Sequence, residues 1–288
     1  MSRFLDDLAA LIRKKHYPIY RIAEIRRGEE PHAISLVPAN ACQNSYSVAK
    51  SFTVCALGLL YDRGMLRPED RITDILGPLC PPAMDPRWKL ATVHMAIRHE
   101  LGLPDGFLDI DAQDSRSFGR DYLGYLLSAP LLTDPGREFR YTDAAYYLLS
   151  RLVEVVAGEP MDSLLWRELF YPLGFTEVAW SRCPQGHPMG ATGLYIKTED
   201  MVRLGGLYLN EGCWDGHRIL SEAWLRLVRE REYEFYWSSP AHVSYGKSGM
   251  FGQRLQILPI AGRAVAWHGY GGEYDGELLH FAESYPDL

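Results

Sequence analysis

At 288 residues, 47% hydrophobic and 23% charged, the chain has material for one large domain or two modest ones and is too apolar to stay disordered. Lys and Arg number 30 against 37 Asp and Glu, a net charge of -7, and without a basic run this disfavours nucleic acid as a partner. Its five cysteines are scattered and odd in number, acids stand where a signal peptide needs a basic head, and no stretch approaches a membrane span, so the expectation is reduced thiols in a cytoplasmic protein.

Phe4, Leu5, Leu8, Leu11 and Ile12 recur at helical spacing and predict an amphipathic helix over 3–15. Residues 20–25 and 32–37 read as the two strands of a hairpin around Arg-Gly-Glu-Glu-Pro. Polar residues then lead abruptly into the apolar run Phe52, Val54, Cys55, Ala56, Leu57, Leu59 and Leu60. This predicts a buried helix that enters from a polar surface, with Ser47 in its first turn and Gly64 at its stop.

From there to about residue 190 the pattern is mostly helical, with proline-rich connections and helices near 90–100, 121–128, 142–157 and 163–170. Two further helices are expected over 199–209 and after a Ser221 cap, to about 231. Residues 243–247, 252–259 and 263–268 have the β character and turn punctuation of a meander, before a closing helix from 277. The expected fold is α+β: an antiparallel sheet of about five strands built from both termini and flanked by helices (1–60 and 191–288), with a mostly helical domain inserted over 61–190.

Three stretches bear chemistry. Ser47 and Lys50 stand three apart, which on a helix puts both on one face. A serine hydroxyl is a poor nucleophile until a base takes its proton, and a lysine serves as that base when its pKa falls from about 10.4. The free N–H groups of a helix start also suit a developing oxyanion. Ser-x-x-Lys by itself is weak, and Ser244-Tyr-Gly-Lys247 matches it too, but Gly246 and the β-rich flanks there argue against a helix.

The second stretch is Tyr141-Thr-Asp143, at a loop-to-helix junction where Thr142 or Asp143 also fits an N-cap. The third is Lys247-Ser248-Gly249 in a strand. There Gly permits close backbone approach and Lys supplies charge for a carboxylate, although an edge-strand lysine serves solubility equally well.

Taken in order, Ser-x-x-Lys, Tyr-x-Asp and Lys-Ser-Gly resemble the motif set of the serine β-lactamase and penicillin-binding-protein superfamily. With Tyr141 in second place, the chain looks most like the class C β-lactamase, DD-peptidase and related esterase branch. Ile97-Arg-His-Glu-Leu-Gly-Leu103 is similar to the family's His-x-Ser-Gly-Leu segment, and residues 190–221 and 252–265 resemble later family stretches.

The resemblance implies that Ser47 is acylated, Lys50 helps deprotonate it, and Tyr141 relays protons to the leaving group. The backbone N–H groups of Ser47 and Met250 would form the oxyanion hole. Lys247, with Ser248 and Gly249, would hold substrate, and clustering of Lys50 and Lys247 would lower the pKa of each. Asp143 replaces the family's Asn, and a carboxylate cannot donate to an acyl side chain unless protonated, which weakens a β-lactamase or D-Ala-D-Ala peptidase reading relative to an esterase or amidase.

Trp267-His268-Gly269 is a rival third motif, but the Gly252-Gln253 to Pro259 stretch belongs after that motif and selects Lys247. No cofactor is expected, and neither His94 with His99 nor Cys183 with His187 has metal-ligand spacing. The expected partner is a small-molecule or peptide substrate; the sequence leaves the oligomeric state open. A silent ligand-binding relative is the non-enzyme alternative.

Overall fold

A computed structural model of the chain describes residues 2–286. They fall into two compact units. The first holds the chain up to Ser51, Leu169–Ala179, and everything from Leu194 onward; the second holds Phe52–Glu168 and Trp180–Gly193. The division therefore cuts the helix Ala49–Asp62 after Ser51 and not at its end near residue 60. The physical reason is that the helix is buried along most of its length: Phe52, Cys55 and Leu60 are fully enclosed and count with the second unit.

The core of the first unit is an antiparallel sheet of six strands, in the order His32–Ser35, Ile19–Arg26, Arg263–Gly269, Arg254–Leu258, Tyr245–Ser248, Tyr236–Trp237. Both chain ends contribute, because Ile22 pairs with Trp267 and Glu24 with Val265. The sixth strand, two residues long, is too short to show alternation in the sequence.

Side chains alternate across the central strand Arg263–Gly269. Val265 and Trp267 pack into one cluster with Phe4, Leu5, Leu8 and Ile12 of the helix Arg3–Lys15 and with Leu278 and Ala282 of the helix Asp275–Ser284. Burial of each large apolar side chain there is worth about 1.5–3 kcal/mol. Ser2 caps the first helix through Leu5 N–H, and His16 closes it in left-handed backbone.

On the other face small residues allow one close approach. Ala264 faces the helix Thr198–Leu209, and a Cβ on Gly205 of that helix would lie 2.5 Å from the Ala264 Cβ. Helix and sheet thus approach as closely as side chains of one atom or none allow.

In the second unit the helix Asp143–Ala157 is enclosed from Asp143 to Val153, with Thr142 as its N-cap and left-handed Gly158 as its stop. Shorter helices span Ile72–Leu76, Val93–Ile97 and Tyr122–Ser128. Tyr146 Oη donates to Ile97 O, and Thr53 Oγ1 to Gly190 O. Among the described residues no helix is long and apolar enough to cross a membrane. None of the five cysteines is disulfide-bonded.

Candidate active site

Local backbone chemistry fixes the position of Ser47. Cys42–Asn44 pairs antiparallel with Leu194–Lys197, and Ser45, wholly buried, bonds Leu194 O through both its N–H and its hydroxyl at 2.8 Å. Asn44 Oδ1 accepts from Tyr46 N–H at 2.9 Å, and Tyr46 turns into left-handed backbone with φ of 47°. Such a conformation costs a non-glycine residue of order 1 kcal/mol and is held only by its surroundings. Here the ring of Tyr46 meets Phe251 edge-on at 5.0 Å, and Phe251 stacks on Tyr270 at 4.4 Å.

One tight turn, Tyr46–Val48, then passes into the helix from Ala49. The three-residue spacing does what the sequence predicts. Lys50 Nζ, on a fully buried side chain, lies 3.1 Å from Ser47 Oγ, while Ser47 itself is half-buried.

Lys247-Ser248-Gly249 ends the strand Tyr245–Ser248, which pairs through Lys247 with Leu255. A Cβ on Gly249 would lie 2.8 Å from Ser45 O and 3.1 Å from the Tyr46 Cβ, so the strand end lies directly against the turn that carries Ser47. Only glycine fits there. Beyond it, Gly249 N–H bonds Gln253 O at 2.8 Å, Gly252 N–H bonds Gly249 O at 3.0 Å, and Phe251 N–H reaches Gln253 Oε1 at 3.2 Å. The N–H of Met250, on a half-exposed residue, has no acceptor among the described residues.

Lys247 has a partner that the sequence does not reveal: its ammonium is ion-paired to Glu234, and both side chains are withdrawn from water, with 7% and 0% exposure. The Tyr236 ring lies 5.1 Å from the same ammonium. Glu234 was not distinguishable in the sequence, because an interior glutamate between two short elements looks like any surface one.

The rival Trp267-His268-Gly269 is an interior strand, with both Trp267 and His268 wholly enclosed. His268 Nδ1 is bonded to Thr198 Oγ1 at 2.8 Å, and burial pushes the His268 pKa down to about 3. A folded pKa below the usual value of about 6.5 means that, between those two values, the unfolded chain binds a proton that the folded chain does not. Stability should therefore fall with pH from about 6.5 toward 3, by up to about 1.4 kcal/mol per pH unit. Urea midpoints at pH 7 and pH 5 should separate more for the wild type than for His268→Gln; equal separations would refute the assignment.

The second unit holds Tyr141 and Asp143. The Tyr141 ring lies tilted against His99 at 4.4 Å between centroids, and the Tyr141 carbonyl accepts from Gly106 N–H at 2.8 Å. His99 is fully buried with φ of 57°; its Nδ1 accepts from Thr142 N–H at 3.3 Å, which puts its ring proton on Nε2. Its carbonyl takes Arg140 N–H at 2.9 Å, so His99 braces the whole Arg140–Thr142 junction. The sequence held one signal for this role, His99 in a segment similar to a family motif.

Asp143 is the first residue of its helix, 6% exposed. It brings a carboxylate oxygen within 4.8 Å of carboxylate oxygens of both Asp109 and Asp111, and Thr192 donates to Asp111. These three are the described residues whose spacing could hold a metal ion. The grouping escaped sequence reading because one loop and one helix start supply it. A separate cavity of about 650 Å³ in the first unit, lined by Arg27, Arg229, Trp237 and Tyr245, contains none of the predicted catalytic side chains.

A family model described as Beta-lactamase matches residues 19–274. Penicillin-binding protein 4 of Amycolatopsis lactamdurans is 28% identical over 230 residues, covering 68% of this chain and 58% of that protein. The chain thus spans under two thirds of that relative's length. Among solved structures, a penicillin-binding protein from Bacillus halodurans superposes with a TM-score of 0.74 at 18% identity, covering 99% of both chains. EstCE1, described as a hydrolase with promiscuous acyltransferase activity, superposes with a TM-score of 0.70 at 17% identity, over 99% of this chain and 98% of its own. At these identities the superpositions speak for the fold.

Proposed function

Because the chain belongs to the Beta-lactamase family, we propose that it is a serine hydrolase working through an acyl-enzyme on Ser47, with an uncharged ester or amide as substrate. The observation that carries this is the 3.1 Å contact between Lys50 Nζ and Ser47 Oγ, on a lysine withdrawn from water. In acylation the Ser47 Oγ–carbonyl bond forms and the bond to the leaving alcohol or amine breaks. The serine proton passes to Lys50, and the family resemblance assigns its onward transfer to the leaving group to Tyr141. Water then returns Ser47 Oγ and releases the acid. Ser47 N–H and Met250 N–H receive the oxyanion, for which the unengaged Met250 N–H is suited.

Lys247, Ser248 and Gly249 line the substrate side, and Gly249 keeps the strand close to the nucleophile's turn. Asp143 stands where the family motif has an amide donor, and a carboxylate cannot donate to an acyl side chain unless protonated. That supports a neutral ester or amide over a β-lactam or a D-Ala-D-Ala peptide.

Incubation with a fluorophosphonate, followed by peptide mapping, should give one adduct on the peptide containing Ser47. Turnover of p-nitrophenyl butyrate should exceed that of nitrocefin at least about tenfold. Labelling at another residue would remove the nucleophile assignment. Fast nitrocefin hydrolysis would replace esterase by lactamase, and a protein that binds but never turns over would be the silent relative.

A further inference from the structure

The Lys247–Glu234 pair carries a consequence for substrate choice, and it rests on the reading of Ser47 as the acylated residue. A strand lysine next to a nucleophile's turn is the natural anchor for a substrate carboxylate, provided that its charge is available. Here it is cancelled. Glu234 is fully buried, Lys247 nearly so, and the two are in direct contact. Two opposite charges that close act at a distance as a dipole, and their field on a third group falls away much faster than that of a single ammonium.

The backbone shows that the carboxylate is held deliberately. Glu234 has φ of 61° and Glu232 has φ of 48°, both left-handed and both non-glycine. Next to Glu234, Phe235 packs on Tyr208 of the helix Thr198–Leu209 at 4.4 Å, and the Tyr236 ring lies toward the lysine. The chain accepts backbone strain and the desolvation of a carboxylate to put one negative charge on Lys247.

We propose that Glu234 is a specificity-determining residue: by neutralising Lys247 it withdraws the cation that would otherwise recruit a substrate carboxylate, and so selects acyl substrates without one. Lys247 then acts through its fixed position and its hydrogens, as a donor within a neutral pair.

A matched pair of esters reads this directly, p-nitrophenyl hemiglutarate with its free carboxylate and its neutral methyl ester. The ratio of their kcat/KM values cancels general losses of activity. In the wild type the neutral ester should be preferred. Glu234→Gln, which uncovers the Lys247 charge, should move the ratio toward the hemiglutarate by about tenfold, and the shift should shrink in high salt.

Loss of one partner from a buried pair can prevent folding, so the double variant Glu234→Gln/Lys247→Met is the second arm. It removes both charges together and should keep the wild-type ratio. If Lys247 instead recruits carboxylates despite its partner, the double variant will lose activity on the hemiglutarate selectively, and an unchanged ratio in a folded Glu234→Gln variant would also overturn the proposal. A wild type that hydrolyses neither ester refutes the acyl-enzyme reading, which is a different failure.

Discussion

Ser47→Ala is expected to abolish covalent labelling and to lower ester turnover by at least about 10³-fold, and Lys50→Met to lower acylation by about 10²–10⁴-fold. The two should not be additive. Once the hydroxyl is gone the amine has no proton to accept, so the double variant should resemble Ser47→Ala alone. Lys50→Met keeps the unbranched apolar stem in its enclosed site, which separates the chemical role of the amine from its packing. The acylation defect should also ease as pH rises, because hydroxide then substitutes in part for the missing base. The measurement is the second-order rate of fluorophosphonate labelling by intact mass, with unfolding curves to show that both variants remain folded. A Lys50→Met protein labelled at the wild-type rate would show that the 3.1 Å contact is not the one that activates the serine.

The second large effect concerns stability. Arg263 and Glu24 are 0% and 1% exposed, and Arg263 Nε donates to Glu24 Oε1 at 2.7 Å between two adjacent strands of the sheet. The guanidinium also lies 4.3 Å from the centroid of the Phe4 ring. Arg263→Met should cost about 3–5 kcal/mol, since among the described residues it leaves the buried carboxylate with Ser2 and the more distant Arg26 beside it. In a unit of this size that is a fall in Tm of roughly 10 °C. The double variant Arg263→Met/Glu24→Met should recover most of the loss, because the removal of both charges together also removes the desolvation penalty. Calorimetry of the four proteins in this cycle checks the point, and a double variant as unstable as the single one would mean that packing of the arginine stem, not charge, is what Arg263 provides.

The parts of the site that were legible in the sequence are those that depend on neighbours in the chain. Ser47 and Lys50 meet because three residues make most of a helical turn, and Thr142 caps its helix by the same local rule. The helix Arg3–Lys15 was readable from five apolar positions, and the hairpin and meander from alternation. Glu234 and Glu24 were not readable, because a buried acid carries no mark until its partner is found, in the case of Glu24 239 residues away. Gly205 was opaque for the opposite reason. In the sequence it is merely a poor helix former, and its purpose is visible only with Ala264 lying against it. The partner of Lys247 was hidden for the same reason: a sequence shows the charges of Lys247 and Glu234 but not that they meet.

The pairing of Ile19–Arg26 with Arg263–Gly269 has a consequence for how the molecule comes into being. On a ribosome the first of these strands is made well before its partner, so all the chain between them must emerge before the two can pair. Loops that long are slow to close. Until then the apolar edge of the early strand is open to wrong partners, and Lys247 has not yet been delivered to the turn at Ser47. Nascent and prematurely terminated chains should therefore be inert as catalysts, prone to aggregate, and dependent on a holding chaperone for their yield.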